Sequence, residues 1–403
     1  MSFRYSVCLA ATALIAGGVV WANSPAKADN SSPPGGTYPS VASPNSTHSS
    51  ATAQLLAAAR ADADRGDNEG AAQELHRAAA IEPRNIEIER LLGDVEYRLQ
   101  HYPAAETAYN AVLAVDPTNR DVWNRLGGVY SAEDRFDDAV GAFRKSLPSK
   151  EGFANLVLLY SDEGRLGELE AEYKLEETRN PYEPSNHYNL ASIYKAEKKY
   201  DAATAQLQYA LDRDARYTDA YNLLGNVYGE EGRYNDAINQ YKTAIAIDPK
   251  YAFAWNNWGV ELVNEGQYEA GIEKFNHAIQ LEPQLALAYE NLGVDYDHLN
   301  DFTKAVEYFQ RAINLDPHER NVYINLGSLY YTHNQLNLAE AAFIKGLALQ
   351  PKSDRLHFGL GLTYEAQKKY ALAEEQFKIA IAEDPKDTEA ASELAAVESQ
   401  AKH

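Results

Sequence analysis

Residues 218–251 read T-D-A-Y-N-L-L-G-N-V-Y-G-E-E-G-R-Y-N-D-A-I-N-Q-Y-K-T-A-I-A-I-D-P-K-Y, and their spacing decides the fold. Tyr221, Leu224, Gly225 and Tyr228 recur at helical intervals and share one face of a first helix. Gly232 follows where a left-handed cap residue is wanted. Ala237, Tyr241 and Ala244 line one face of a second helix, with Asp236 in its first turn at the positive end of the dipole. Asp248-Pro249 stops that helix, because proline drives the preceding residue out of helical dihedrals. The stretch is a helical hairpin of 34 residues.

The hairpin recurs. One period on stand Trp255, Gly259, Phe275, Ala278 and Pro283, then Tyr289, Leu292, Gly293, Tyr296, Ala305, Phe309, Ala312 and Pro317. Tyr323, Gly327, Tyr330, Ala339 and Phe343 follow, then Gly361, Tyr364, Ala373, Phe377 and Pro385. Upstream come Leu190, Tyr194 and Ala203, a weak copy with Leu156 and Tyr173, then Trp123, Leu126, Gly127, Tyr130 and Phe143. The earliest copies carry Leu92, Gly93 and Tyr109, then Ala71, Leu75 and Pro83. This pattern resembles the tetratricopeptide repeat, W-x2-L-G-x2-Y followed by alanine, an aromatic, alanine and proline, over residues 52–387 in ten copies. The resemblance implies an all-α solenoid of helix-turn-helix repeats, a superhelix with a concave groove lined by the first helices.

Net charge is −22, and it becomes −24 if residues 1–28, which hold Arg4 and Lys27 but no acid, are removed. So negative a chain argues against nucleic acid and anionic membranes as partners, and favours a neutral or basic protein or peptide. Residues 1–28 read as a signal peptide: Arg4, an apolar run Val7–Ala22, and Ala26-Lys27-Ala28 as cleavage site, with Val20-Trp21-Ala22 as an alternative. Sixteen residues are short for a membrane span, so no integral membrane segment is expected after cleavage. Cys8, the only cysteine, would leave with the signal, which excludes disulfides and thiol chemistry and suits an exported, periplasmic or extracellular protein.

Residues 29–50 are a Ser/Pro-rich stretch with little to bury and are expected to be a disordered spacer. Residues 52–149 make repeats 1–3, 150–183 an irregular fourth and 184–387 repeats 5–10. The third repeat is four residues short, and Pro148 should end its second helix early, so 145–183 reads as a joint. Trp258 beside Gly271 looks like a volume exchange within the core. Residues 388–403 form a capping helix, started by Asp387 or Thr388, with Ala391, Leu394, Ala395 and Val397 turned inward.

No catalytic, phosphate-binding or metal-ligating motif is present, so neither an enzymatic activity nor a cofactor is expected. The ten histidines are scattered and read as surface or groove positions. One stripe does not fit the core. Positions 2, 6, 9 and 13 of each repeat share a separate face of the first helix, and position 6 is Asn155, Asn189, Asn257, Asn291 and Asn325. Asn222, Asn226, Asn256 and Asn264 stand close by. This resembles the asparagine ladder of the O-GlcNAc transferase repeat arm, where such amides hold an extended peptide by its backbone; the catalytic domain of those proteins has no counterpart here. An asparagine offers donors and an acceptor, so it can match a peptide unit without reading its side chain. The alternative is that the amides bond only within the array. Tyr188 and Phe253 are further candidates for partner contact. The lysines and arginines of co-chaperone carboxylate clamps are absent from the stripe. The expected function is thus an exported scaffold or adaptor that binds a protein or peptide. Its alternative is a structural or tethering protein of the cell envelope acting through the solenoid ends.

Overall fold

In a computed structural model the described residues are 49–400, apart from Gly66 and His318. The expectations for residues 1–28 and for nearly all of 29–50 therefore lie outside them. The last two residues of that stretch belong instead to the first helix, since the Ser49 hydroxyl accepts from the Thr52 amide and caps it.

The described residues are built from helices joined by short turns, and they separate into two compact units that meet between Leu169 and Glu170. In the N-terminal unit the hairpins are α1 (Ser50–Asp64) with α2 (Asn68–Ile81), α3 (Ile86–Arg98) with α4 (Tyr102–Val115), and α5 (Arg120–Ala132) with α6 (Phe136–Ser146). Helix α7 (Lys150–Asp162) follows, and α8 (Leu166–Arg179) contains the boundary. In the C-terminal unit α9 (Pro184–Ala196) pairs with α10 (Tyr200–Arg213), α11 (Thr218–Glu230) with α12 (Tyr234–Ile247), and α13 (Ala252–Asn264) with α14 (Tyr268–Leu281). Then come α15 (Ala286–His298) with α16 (Phe302–Leu315), α17 (Arg320–Thr332) with α18 (Leu336–Leu349), and α19 (Asp354–Ala366) with α20 (Tyr370–Glu383). Helix α21 (Thr388–Gln400) closes the series, packed on α20. Helix α6 has 11 residues where its counterparts have 14, and ends two residues before Pro148.

Seven of the ten hairpins close on a glycine–aromatic contact. A methyl group added to Gly93, Gly127, Gly225, Gly259, Gly293, Gly327 or Gly361 would strike the ring at the matching place on the second helix, from Tyr109 and Phe143 through Tyr241 to Phe377. Burying such a ring contributes about 1.5–3 kcal/mol, which the missing Cβ makes accessible. In the hairpin α9–α10 the ring shrinks to Leu207 and the glycine grows to Ala191, both fully buried, so volume is conserved.

The turn after each first helix from α3 onward is left-handed. Gly232 has φ 74°, as its sequence position predicts, and its amide donates to the Gly229 carbonyl at 2.9 Å. Gln100, Asp134, Lys198, Asn300, Asn334 and Lys368 hold the same conformation in the other hairpins, at φ between 56° and 64°. Two backbone bonds to the preceding helix, such as Arg233 N–H to the Tyr228 carbonyl at 2.8 Å, hold the turn whatever its residue type.

A second periodic device spans hairpins. The fourth residue of a first helix donates to the carbonyl of the proline six residues upstream: Trp123 to Pro117, His187 to Pro181, Trp255 to Pro249, Tyr289 to Pro283, Tyr323 to Pro317 and His357 to Pro351, at 2.9–3.3 Å. Tryptophan, tyrosine and histidine share a polar hydrogen at the edge of a ring, which is what the loop carbonyl needs. His187 and His357 are consequently buried loop clasps, which corrects the expectation of surface or groove sites.

Three further expectations change. Trp258 is only half-buried, stacked on Trp255 at 5.6 Å, with the Lys274 and Lys242 ammonium groups 4.7 and 4.9 Å from its ring centre. The space beside Gly271 is occupied by Val263 and Asp295, not by Trp258. In α21, which Asp387 starts by accepting from the Glu389 and Ala390 amides, Ala390 and Val397 are buried while Ala391 and Ala395 are exposed. The inward face lies one residue earlier than expected at its start.

Candidate partner-binding face

Each first helix of the C-terminal unit touches the first helix of the next hairpin, so α9, α11, α13, α15, α17 and α19 present a continuous row. The asparagine stripe lies along it, and hydrogen bonds run across its seams. Asn257 Nδ2 donates to Asn222 Oδ1 at 3.1 Å and to Asn226 Oδ1 at 3.0 Å. Asn291 Nδ2 donates to Asn256 Oδ1 at 2.9 Å, and Asn325 Nδ2 to Glu290 Oε1 at 3.0 Å. In the N-terminal unit Asn155 Nδ2 donates to Asn124 Oδ1 at 3.0 Å. The rule is uniform: position 6 donates to position 5 of the preceding hairpin, 35 residues upstream, or 31 where the short third repeat intervenes.

These bonds sort the ten expected contact residues. Asn155 is 2% exposed and Asn257 9%, and their amides are engaged between hairpins; the expectation that they reach a partner is corrected, because their donors already satisfy buried acceptors. Asn264 donates to Glu261 Oε2 at 3.0 Å, and Asn226 accepts from the Tyr241 hydroxyl at 2.9 Å. Asn222, Asn291 and Asn325 are half-buried, each with one bond of the ladder and further amide capacity. Asn189 is half-buried and its side chain has no hydrogen bond among the described residues. Tyr188 lies beside Tyr217, ring centres 5.3 Å apart, and Phe253 beside Tyr251 at 6.0 Å. The Tyr251 hydroxyl donates to Asp219 at 2.9 Å.

Beneath the ladder, the aromatic of the second helix is in two hairpins a tyrosine that bonds a polar residue at position 9. Where it is phenylalanine nothing polar is needed. Tyr241 brings a hydroxyl into the interior, held by Asn226 and, at 3.5 Å, by Glu261; burial first, then Glu261, pushes its pKa well above the usual phenol value. In the N-terminal unit Tyr109 donates to Asp94 at 2.8 Å, and Asp94 is met by Arg125 at 2.8 Å and Arg90 at 3.0 Å. Arg125, whose side chain is 4% exposed, also binds Asp121 at 3.0 Å. Burial opposes its charge, and Asp94 and Asp121 more than offset that. Asp94 and Arg125 thus stand where Asn226 and Asn257 stand in the other unit. Sequence reading passed over this pair; tyrosine instead of phenylalanine at the buried ring was the available signal.

Glu290 takes the place of an asparagine in the ladder. It is buried, and burial followed by Glu319 pushes its carboxyl well above the usual range, with the Asn325 amide acting the other way. Among the described residues no three-residue cluster of His, Cys, Asp or Glu could hold a metal ion, and no helix is long and apolar enough to cross a membrane.

Sequence profiles described as tetratricopeptide repeat match residues 90–152, 184–217, 286–319 and 324–388, and one described as TPR repeat matches 225–260. Among solved structures, the APC/C hetero-tetramer Cut9-Hcn1 is similar with a TM-score of 0.52 and 15% identity, over 86% of this chain and 90% of that one. PilF of Pseudomonas aeruginosa has a TM-score of 0.45 and 21% identity, over 54% and 99%. YrrB, titled a TPR protein with an unusual peptide-binding site, has 0.36 and 20%, over 46% and 96%. No curated protein matches the sequence.

Proposed function

Because the chain belongs to the tetratricopeptide repeat family, a protein-interaction fold, we propose that it is a non-catalytic adaptor that holds an extended peptide along the first helices of its C-terminal unit. One observation carries this reading. Across the four hairpins from 218 to 351, positions 2, 5, 6, 9, 12 and 13 include no lysine or arginine. They offer amides at Asn222, Asn291 and Asn325, half-buried apolar groups at Phe253, Val260, Leu287 and Val294, and carboxyls at Asp297 and at Glu230, the latter shared with Lys195. Amides bond a peptide backbone, the apolar groups seat its alternate side chains, and the acids favour a neutral or basic sequence. Asn189 and Tyr188 extend the row toward its start.

The test uses three labelled extended peptides of equal apolar content, one with lysines, one uncharged and one with glutamates, titrated by fluorescence anisotropy. The lysine and uncharged peptides should bind and the glutamate peptide should not. Asn189→Ala should alter stability by no more than about 0.5 kcal/mol yet weaken binding about tenfold, because an unpaired peptide group costs roughly 1–3 kcal/mol. Preference for the glutamate peptide, or wild-type binding by this variant, would refute the reading.

We extend the proposal to an exported protein, from the basic start, apolar run and small-x-small site of residues 1–28. Intact-mass measurement of exported material should place its first residue at Asp29 or Asn23. An intact Met1 there would end that part of the reading.

A further inference from the structure

Position 10 of a first helix faces the preceding hairpin, and it is apolar in Ile193, Val227 and Leu329, all fully buried. In two consecutive hairpins it is an acid. Asp295 on α15 is 0% exposed, and neither carboxyl oxygen has a hydrogen-bond partner. It fits only because α14 carries glycine opposite: a Cβ on Gly271 would lie 2.9 Å from Asp295 Oδ2. Glu261 on α13 is 5% exposed and overlies Gly229 of α11, where an added Cβ would strike its Oε1. Its other oxygen accepts from Asn264, and the Tyr241 hydroxyl of α12 stands at 3.5 Å. Each acid is thus matched to a glycine that makes room for it.

Among the described residues no cation compensates either group. The charged group whose field reaches Asp295 is Glu269 of α14, another acid. Around Glu261 stand Glu265 just past the end of its own helix and Glu230 on α11, and Glu230 already has Lys195 at 2.6 Å. On α15, Glu290 meets Asn325 and the charge of Glu319, and Asp297 meets His298 and His333, so neither supplies positive charge to Asp295. An isolated buried carboxylate is costly, and the group keeps its proton instead.

We propose that the two successive seams at Glu261 and Asp295 form a proton-operated latch, in which the hairpins α11–α12, α13–α14 and α15–α16 pack closed while both carboxyls are protonated and loosen when they ionise. Burial raises Glu261 to about 7, with smaller lowering contributions from Asn264 and Tyr241, and burial with Glu269 raises Asp295 to about 8. The folded values lie above the unfolded ones, so the native state holds the protons more tightly. The stabilisation is complete below about pH 4, where both states are protonated. It declines as pH rises, and is gone once pH passes the folded values.

Urea unfolding of the full chain, followed by tryptophan fluorescence from Trp255 and Trp258 beside the latch in a Trp21→Phe/Trp123→Phe background, reads the effect. The wild-type midpoint should fall steadily from pH 5 to pH 8. In Glu261→Val/Asp295→Val, which copies Val227, the fall should be less than about half as large and the midpoint at pH 8 higher. Exposed Glu307→Gln on α16, whose charge reaches neither carboxyl, serves as control and should follow wild type. Should the valine variant fail to fold, Glu261→Gln/Asp295→Asn must give the same flattening at nearly unchanged volume. Unfolding wild type at pH 6 in weak buffer should also release about two protons per chain beyond the Glu/Asp variant. Parallel pH profiles, or no excess release, would overturn the proposal.

Discussion

Arg125→Ala should lower the stability of the N-terminal unit by about 3–5 kcal/mol, measured by urea unfolding. The loss is larger than one missing ion pair implies. Asp94 is left buried with its charge opposed only by Arg90, whose side chain is far more exposed, while the Tyr109 hydroxyl still points at it. The C-terminal unit fills the same places with amides, Asn226 and Asn257, under Tyr241. The double change Asp94→Asn/Arg125→Asn should therefore recover most of the loss, since a neutral hydrogen-bonded pair avoids the desolvation penalty of two charges. If the double variant is as unstable as Arg125→Ala, the cost lies in lost packing of the arginine stem and the electrostatic account is wrong.

Gly225→Val should destabilise the C-terminal unit by about 3 kcal/mol. The new side chain would occupy the space of the Tyr241 ring, and moving that ring would break its bond to Asn226 and expose the Glu261 side. The propensity of valine for helix over glycine is worth only a few tenths of a kcal/mol, so overpacking wins. Gly141→Ala in α6 is the matched control. Nothing lies within 4 Å of its added Cβ, and it should gain up to about 1 kcal/mol from propensity alone. Thermal unfolding of both variants checks the contrast. Equal behaviour would mean that the closeness of the helices at Gly225 is not what the glycine serves.

The 34-residue period, the ten hairpins and the pairing of a glycine on the first helix with an aromatic on the second were legible in the chain. Those features are set within one hairpin, where helical periodicity places residues on a face and proline and left-handed turns end the helices. The stripe at position 6 was legible for the same reason, as residues sharing a face. What the amides bond to was not. Position 6 meets position 5 of the preceding hairpin, an offset of one residue that depends on how successive hairpins stagger, and no pattern within a hairpin encodes it. Tertiary structure therefore decided that Asn155 and Asn257 bind their neighbours while Asn189 keeps its amide free. It likewise moved Gly271 from a partner of Trp258 to the space that admits Asp295, because a buried acid is recognisable only once the helix that would have crowded it is in place.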